Sequence, residues 1–326
     1  MYSRLNYFRF YLAWSVLAFH MNILKVRLAG PMAVWCFFLI SGFLVSNILY
    51  ERYAGRYKDF LLNRFLRIFP TYWVALMIGI VLFVVDSAGV AEINKNIYIP
   101  DTFTGWITNL FIFNLFKPPR IVPPAWSLAI ELNWYMILFV ASFFPRRWVL
   151  TFLVTNLLWP FVLFFVLHQE VYQPGAGFAF ALGAIAYHID WNLPKFVQYM
   201  ALATLPVLMY LIPIYFGLSA FNNNTLGVTV SLMGSVVLLY IAMPVLSSGK
   251  SANWFSNLAG ELSYPVFLTH HYAAWFAVHW FNVPQPSWML VFAVTLITLI
   301  ISFGIVKFVE HPIAKVRMKI RNRERI

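Results

Sequence analysis

Residues 5–21 read LNYFRFYLAWSVLAFHM, an apolar stretch of membrane-spanning character that nevertheless carries Arg9 and His20. Ionisable groups inside a membrane span are costly and rarely face lipid. The two residues are eleven positions apart, which on an α-helix is about 16 Å along the axis and about three full turns. Both side chains therefore project from one face, which carries a fixed positive charge at one depth and a titratable base at another.

Two interpretations fit this pair taken alone. In the first, Arg9 extends its apolar stem so that the guanidinium reaches a lipid headgroup, and His20 is hydrogen-bonded inside the helix bundle. In the second, the two groups are kept at this spacing because they carry chemistry. The pair does not decide between them, and the rest of the chain is needed.

The composition indicates a polytopic membrane protein. Of the 326 residues, 62% are hydrophobic and 10% are charged, whereas soluble domains carry about 25% charged residues. The net charge of +12 does not indicate a nucleic-acid partner, because Lys and Arg collect in the cytoplasmic loops of membrane proteins. The single cysteine, Cys36, excludes an intrachain disulfide, and a buried thiol is usually an inert small hydrophobe.

The hydrophobic pattern predicts an all-α fold of about ten transmembrane helices in one integral-membrane domain, residues 1–326, with no appended soluble domain. A further apolar segment, residues 106–116, is too short to cross and is predicted to be interfacial or re-entrant. The predicted spans cover about residues 5–21, 32–50, 71–85, 126–144, 149–167, 175–189, 199–216, 226–246, 262–280 and 288–306.

The distribution of Lys and Arg predicts the orientation. The segment after the second span and the tail from Lys307 onward are strongly basic, which places both termini in the cytoplasm. The expected location is the inner membrane. Arg9 then lies toward the cytoplasm and His20 in the outer half of the first span. Five of the 23 Lys and Arg residues fall on the outside: Lys25, Arg27, Lys95, Lys117 and Arg120.

Three further polar positions are candidates for chemistry. Arg64 and Arg67 are three apart, so on a helix they share a face. Two guanidinium groups at a membrane surface suit a phosphorylated ligand, although lipid headgroup contact is an equally ordinary role. Glu131, near the start of the fourth span, can fix the tautomer of an imidazole at the depth of His20, or can simply face the helix dipole.

Two other motifs have plainer interpretations. Ser41 and Gly42 permit close helix approach, and no nucleophile elbow surrounds Ser41. His270 is a candidate to line the same cavity as His20, or to be hydrogen-bonded within the bundle. Because adjacent residues on a helix point to different faces, His270 and His271 are poor joint metal ligands, and no metal site is predicted.

Taken in order, these pieces resemble the acyltransferase family 3 membrane proteins. The resemblance covers essentially the whole chain, and it departs from the family pattern at Asn133-Trp134-Tyr135 and at His311. It rests on the Arg9–His20 spacing, FFLISG at Phe37–Gly42, RFLRIFPTYW at Arg64–Trp73, PAWSLAIE at Pro124–Glu131, YPVFLTH at Tyr264–His270 and VEHP at Val309–Pro312.

The resemblance implies an O-acyltransferase that moves an acyl group, commonly acetyl, from acetyl-CoA or another cytoplasmic acyl-CoA to a hydroxyl of a cell-surface or exported carbohydrate. The implied partners are acyl-CoA, a glycan or lipid-linked sugar, and the bilayer. No permanently bound cofactor is implied. The implied catalytic residues are His20, Glu131 and Arg9; the implied acyl-CoA site is Arg64, Arg67, Arg9, Ser41 and Tyr72; the implied acceptor site is Trp126, Ser127 and His270.

Two questions stay open at this point. His20 either activates the acceptor hydroxyl as a base or first carries the acyl group itself. A transporter or flippase for a glycan or lipid intermediate would also explain many spans with intramembrane charge, but the paired broken helices or internal repeat expected of one are not evident. The acceptor sugar, the acyl chain length and the oligomeric state are not readable from the residues.

Overall fold

The computed structural model describes residues 2–22, 28–113, 120–167, 174–189, 193–217, 226–248 and 253–322. Within these ranges the regular secondary structure is helical and contains no β-strand, which confirms the all-α prediction. In chain order the helices are α1 (Ser3–His20), α2 (Ala29–Glu51), α3 (Tyr57–Val85), α4 (Ser87–Ile93), α5 (Phe103–Phe111), α6 (Ala125–Ala141), α7 (Arg146–Phe161), α8 (Gly177–His188), α9 (Lys195–Pro206), α10 (Ile212–Phe216), α11 (Leu226–Ser247), α12 (Trp254–Trp275), α13 (Trp288–Ile305) and α14 (His311–Arg321).

Six helical segments of the described chain are long and apolar enough to cross a bilayer, so the chain is a multi-pass membrane protein. They are Ala29–Glu51, Tyr57–Val85, Arg146–Val166, Lys195–Phe216, Leu226–Ser247 and Trp288–Arg321. The apolar helices α6 and α8 have 17 and 12 residues. A helix rises about 1.5 Å per residue, so α8 is about 18 Å long and too short for the hydrocarbon core. The predicted count of about ten spans is not confirmed.

Two helices extend beyond the predicted membrane spans. Helix α3 begins at Tyr57, well before the predicted start of the third span, and continues through Pro70. Membrane helices tolerate an internal proline because neighbouring groups satisfy the freed backbone. The basic tail is also helical, since the π-helical turn Val306–Glu310 joins α13 to α14. The predicted interfacial segment, residues 106–116, overlaps the short helix α5, although residues 114–116 of that segment lie outside the described part of the chain.

The chain divides into two compact units. The first contains Met1–Glu51 and Glu131–Gly260, and the second contains Arg52–Ile130 and Glu261–Ile326. Helices α6 and α12 contribute residues to both. The prediction of one domain over the whole chain stays a prediction.

Helix α2 forms the core of the first unit, where it packs against α1, α8 and α11. Glycines make the α2–α8 approach possible. A Cβ atom at Gly42 would lie 2.3 Å from the carbonyl oxygen of Phe180, and one at Gly183 would lie 2.0 Å from that of Leu39. Because real Cβ contacts are never this short, only glycine fits at either position, as predicted for Gly42.

Helix α3 organises the second unit. The hydroxyl of Tyr72 donates to the carbonyl oxygen of Asn109 at 2.6 Å, and this bond helps to hold α5 against α3. Asp86 follows α3 and caps α4. Its carboxylate accepts hydrogen bonds from the Gly89 amide at 2.9 Å and the Trp275 indole at 3.0 Å. These bonds favour the ionised form and hold the pKa of Asp86 below its ordinary value.

Arg56, just before α3, holds the end of α14. Its Nη2 donates to the carbonyl oxygen of Ile320 at 2.5 Å, and its Nη1 donates to that of Arg321 at 3.2 Å. The same guanidinium forms an ion pair with Asp59 at 2.7 Å. The last carbonyls of a helix have no partner within the helix, so a cation that donates to them stabilises the helix end.

Candidate active site

Helix α1 carries Arg9 and His20 in one uninterrupted helix, so the predicted common face is present. Arg9 is half-buried, and His20 is the last residue of the helix and is exposed. The helix is anchored within the first unit at two levels: the Asn6 amide donates to Ser256 Oγ at 3.3 Å, and Tyr210 donates to Ser15 Oγ at 2.7 Å. These contacts hold the helix that carries His20 in place within the first unit.

Glu131 lies in α6 and is held by two hydroxyl groups. Ser41 of α2 donates to Glu131 Oε1 at 2.7 Å, and Tyr135, one turn along α6, donates to the same oxygen. Within the described residues, Oε2 accepts no hydrogen bond from a protein donor. The carboxylate is thus fixed through one oxygen, and the other remains able to orient a base.

This arrangement gives Ser41 a contact that differs from its predicted role. The residue was expected in the acyl-CoA site, and the structure places its hydroxyl on Glu131. Tyr135 was not singled out, although its position four residues after Glu131 places the two on one helix face. Ser41 and Tyr135 both donate from a hydroxyl group to a carboxylate. Such charge-assisted hydrogen bonds are among the stronger ones in proteins. The predicted contact of Glu131 with His20 stays a prediction.

Arg64 and Arg67 lie on α3 in the second unit, at the predicted helical spacing. Arg67 Nη1 forms an ion pair with Glu310 at 3.1 Å, and Thr71 Oγ1 donates to the other oxygen of Glu310 at 3.0 Å. Arg64 Nη2 donates to Asn63 Oδ1 at 3.2 Å. The two arginines therefore contact different partners. Glu310, which lies in the VEHP motif, belongs to this cluster, and the sequence did not predict that role.

The remaining predicted residues of the second unit are engaged in packing. Tyr72 is fully buried and donates to Asn109, as described above. Ser127 is buried and donates to the carbonyl oxygen of Pro124 at 2.8 Å, in the first turn of α6. Trp126, beside it, is partly exposed. Their predicted roles in ligand binding stay predictions.

His270 is fully buried in α12, and its Nδ1 lies 2.9 Å from the carbonyl oxygen of Phe267. A carbonyl only accepts, so Nδ1 carries the proton in this contact. The rings of His270 and His271 have centroids 4.3 Å apart and are tilted by 36°. The expectation that the two side chains diverge is wrong, because their rings lie close together although they belong to adjacent residues.

Of the predicted site residues, the first unit contains Arg9, His20, Ser41 and Glu131, and among these the structure shows a hydrogen bond between Ser41 and Glu131. The second unit contains the rest: Arg64, Arg67, Tyr72, Trp126, Ser127 and His270. The acidic residue, its two hydroxyl donors and the helix bearing Arg9 and His20 are thus built into one compact unit, which makes that unit the candidate centre for chemistry.

Comparison with protein families decides what kind of centre this is. The family model described as "Acyltransferase domain" matches residues 2–307, nearly the whole chain. This chain belongs to acyltransferase family 3. It is therefore an enzyme of the acyltransferase class.

Three relatives are similar over shorter stretches. An uncharacterized protein of Aquifex aeolicus is 23% identical over 205 residues, which is 60% of this chain and 89% of that protein. Peptidoglycan O-acetyltransferase OatA of Listeria monocytogenes is 28% identical over 132 residues, and YrhL of Bacillus subtilis is 27% identical over 132 residues. Each of these two alignments covers 38% of this chain and only 21% of the relative. No solved structure matches this chain.

Proposed function

We propose that this acyltransferase transfers an acyl group, acetyl in the first instance, from cytoplasmic acyl-CoA to a hydroxyl group of a cell-surface or exported carbohydrate. Membership of the family supports acyl transfer, and the name of the Listeria relative supports an acetyl donor and a glycan acceptor. The single observation that carries the proposal is the one-face pair Arg9 and His20 on α1, in the unit that also fixes Glu131.

The proposed chemistry takes place in the first unit. His20 removes the proton from the acceptor hydroxyl, and the oxygen attacks the carbonyl carbon of the thioester. The carbon–sulfur bond breaks, and CoA leaves as a thiolate that takes up the proton held by His20. A base whose pKa lies near neutrality suits both proton transfers. Glu131, held by Ser41 and Tyr135, orients the imidazole, and Arg9 stabilises negative charge on the donor side.

The second unit supplies the donor-binding residues of the proposal. Arg64 and Arg67 bind phosphate groups of acyl-CoA, because a guanidinium offers paired donors that match phosphate oxygens. Trp126, Ser127 and His270 are assigned to the acceptor. In this proposal the arginines lie on the cytoplasmic side of the inner membrane, where acyl-CoA is found, and both chain termini are cytoplasmic.

The proposal is tested with purified protein in nanodiscs, acetyl-CoA and a glycan acceptor. Thiol release and acetylated product are measured together. We expect His20→Ala to lower the rate of transfer by about 100-fold or more, because general-base catalysis contributes about 10²- to 10⁴-fold. His311→Ala is the matched control, since His311 is an exposed histidine of α14; its rate should stay within about twofold of wild type.

Full transfer by the His20→Ala protein would remove His20 from the reaction. Incubation with acetyl-CoA alone separates the two chemical routes. An acetyl group retained on His20, detected by mass spectrometry of the intact protein and its peptides, identifies a covalent intermediate. Product formation without such a species supports direct attack by the acceptor.

A further inference from the structure

A cavity of about 660 Å³ lies within the first unit, where the ends of four helices meet. Its walls come from the end of α2, the start of α7, the end of α8 and the last turns of α11. The volume is within the range of small-molecule sites, about 300–1,000 Å³. None of the predicted site residues, all of which belong to the described part of the chain, lines this cavity. It is therefore a separate candidate for a binding site.

Two opposite charges line the cavity, and the protein neutralises neither of them. Arg146 Nη2 donates to the main-chain carbonyl oxygen of His188, and the hydroxyl of Tyr187 donates to Glu51 Oε1 at 2.8 Å. Arg146 also acts electrostatically on the rings of Tyr187 and His188, but neither ring carries a negative charge at neutral pH. Within the described residues, neither Arg146 nor Glu51 forms an ion pair, and both are exposed. A ligand that carries both signs of charge would find a partner for each.

Aromatic rings form the wall beside Glu51. The rings of Tyr50 and Tyr187 are stacked, with centroids 5.8 Å apart and planes inclined by 15°. The ring of His188 lies edge-on to both, with its centroid 4.9 Å from each. The face of an aromatic ring and a carboxylate both attract a cation, and a carboxylate also accepts hydrogen bonds from an ammonium group. The Glu51 side of the cavity therefore suits a primary ammonium group.

The remaining side chains suit a phosphate group and apolar chains. The guanidinium of Arg146 offers paired donors that match phosphate oxygens. Phe144 and Ile189 also line the cavity, and they are exposed to 58% and 41%. The charge distribution is expected to place these four helix ends at the cytoplasmic membrane surface, where lipid headgroups lie. A soluble zwitterion would leave the two apolar side chains in water, whereas a phospholipid covers them with its acyl chains.

We propose that this cavity binds the headgroup of a zwitterionic phospholipid that carries a primary ammonium group. Arg146 binds the phosphate, Glu51 and the aromatic wall bind the ammonium group, and Phe144 and Ile189 contact the first carbons of the acyl chains. One lipid would then join the ends of α2, α7, α8 and α11. Binding of this lipid requires no acyl transfer, so the site and the proposed function can fail separately.

The test is native mass spectrometry of protein released from nanodiscs of equimolar phosphatidylethanolamine, phosphatidylcholine and phosphatidylglycerol. All three lipids carry the phosphate, but phosphatidylcholine has no ammonium N–H donor and phosphatidylglycerol has no cation. Wild type should retain phosphatidylethanolamine at least about tenfold in preference to either, because hydrogen bonds to charged groups contribute about 10- to 100-fold in binding.

Two variants separate the two ends of the headgroup. Glu51→Gln keeps the shape of the side chain and removes its charge, so the preference for phosphatidylethanolamine should be lost while some retention of all three lipids persists. Arg146→Gln removes the phosphate partner, so retention of all three lipids should fall by about tenfold or more.

Arg147→Gln is the matched control for Arg146→Gln. Arg147 is the next residue of α7 and is exposed, but its guanidinium lies over the ring of Trp148 at 5.8 Å and does not line the cavity. This change removes the same charge from the same surface, and lipid retention should stay within about twofold of wild type.

Thermal melting in detergent checks that the variants are folded. Each variant should be monodisperse and should melt as wild type does when no lipid is added. Added phosphatidylethanolamine should raise the melting temperature of wild type but not that of Glu51→Gln, because a ligand stabilises the state that binds it. Equal retention of the three lipids by wild type, or an unchanged preference in Glu51→Gln, would overturn the assignment.

The nucleotide of acyl-CoA is the other ligand with complementary groups, since its adenine carries an amino group and its phosphates match Arg146. Calorimetry with CoA on wild type and Arg146→Gln in phosphatidylcholine nanodiscs distinguishes the two ligands. Unchanged CoA binding in Arg146→Gln, together with lost lipid retention, supports the lipid site whether or not the protein transfers acyl groups. CoA binding weakened by about tenfold, without a lipid preference in wild type, would overturn the proposal in favour of the nucleotide.

Discussion

At the scale of single residues, the most informative contact is the double hydrogen bond to Glu131 Oε1. Ser41 approaches it from α2 and Tyr135 from α6 itself. A carboxylate fixed by two donors loses little further entropy when it orients a partner. The geometry therefore assigns both hydroxyl groups to the support of Glu131, and their removal should affect the rate of the chemical step more than ligand binding.

We expect Ser41→Ala and Tyr135→Phe each to lower kcat by about tenfold, since each removes one hydrogen bond to a charged group. The KM for acyl-CoA should change by less than about twofold, because neither hydroxyl is then a donor-site contact. Steady-state kinetics with a glycan acceptor provide the measurement. Ser46→Ala is the control, as Ser46 is also a buried serine of α2. A raised KM with unchanged kcat would return Ser41 to the acyl-CoA site.

The residues of the candidate site could be named from the sequence, but most of their partners could not. Arg9 and His20 are related by helical periodicity, which needs no tertiary information. The Ser41–Glu131 bond joins residues 90 positions apart, and the Arg67–Glu310 pair joins residues 243 positions apart. Such contacts follow from helix packing, which periodicity does not determine. The contact of Tyr135 with Glu131 is the exception, because the four-residue spacing that places both on one helix face is visible in the sequence.

At the scale of elements, the contact between α2 and α8 depends on two glycines. Gly42 faces the backbone of Phe180, and Gly183 faces that of Leu39. In a bilayer there is little hydrophobic drive between helices, so their association depends on close packing and on small residues at the interface. Backbone atoms cannot move aside as a side-chain tip can, so a larger residue must push the helices apart.

We expect Gly42→Val and Gly183→Val each to destabilise the protein by about 1–3 kcal/mol, the usual cost of overpacking. The melting temperature in detergent, followed by tryptophan fluorescence, provides the measurement. Gly304→Ala is the control, since a Cβ atom there meets nothing within 4 Å. An unchanged melting temperature in both valine variants would show that α2 and α8 separate without cost.

The elements also show where sequence periodicity succeeds and fails. The predicted spans coincide with helices, because runs of apolar residues form helices in a bilayer regardless of their neighbours. The start of α3 was missed because its first turns carry Lys58, Asp59 and Arg64, which resemble a loop in composition. Tertiary partners stabilise this part: Arg56 pairs with Asp59, and Asn63 bonds with Arg317.

At the scale of the whole molecule, the distribution of charge predicts the orientation in the membrane. The basic residues of α14 and of the segment before α3 are expected inside, and Lys95 is expected outside. Length and composition identify helices that can cross, but they do not give the side on which each end lies. A label that cannot cross the membrane measures that side directly.

The single cysteine makes this measurement simple. Cys36 is fully buried, so the wild-type protein should not react with an impermeant maleimide. Cysteine is introduced in place of Lys95 or Lys319, both exposed. We expect Lys95→Cys to label in intact cells and Lys319→Cys to label only after permeabilisation. The reverse pattern would invert the predicted topology, and with it the predicted cytoplasmic position of Arg64 and Arg67.

The hydrogen bonds from Arg56 to α14 affect how the sequence of this protein can change during evolution. Both acceptors are main-chain carbonyl oxygens, those of Ile320 and Arg321. Every amino acid supplies that oxygen, so residues 320 and 321 can drift in identity while the contact persists. Arg56 is the one residue that contributes its side chain to this contact, so only its identity is constrained by the contact. Covariation between aligned sequences will therefore not reveal this contact.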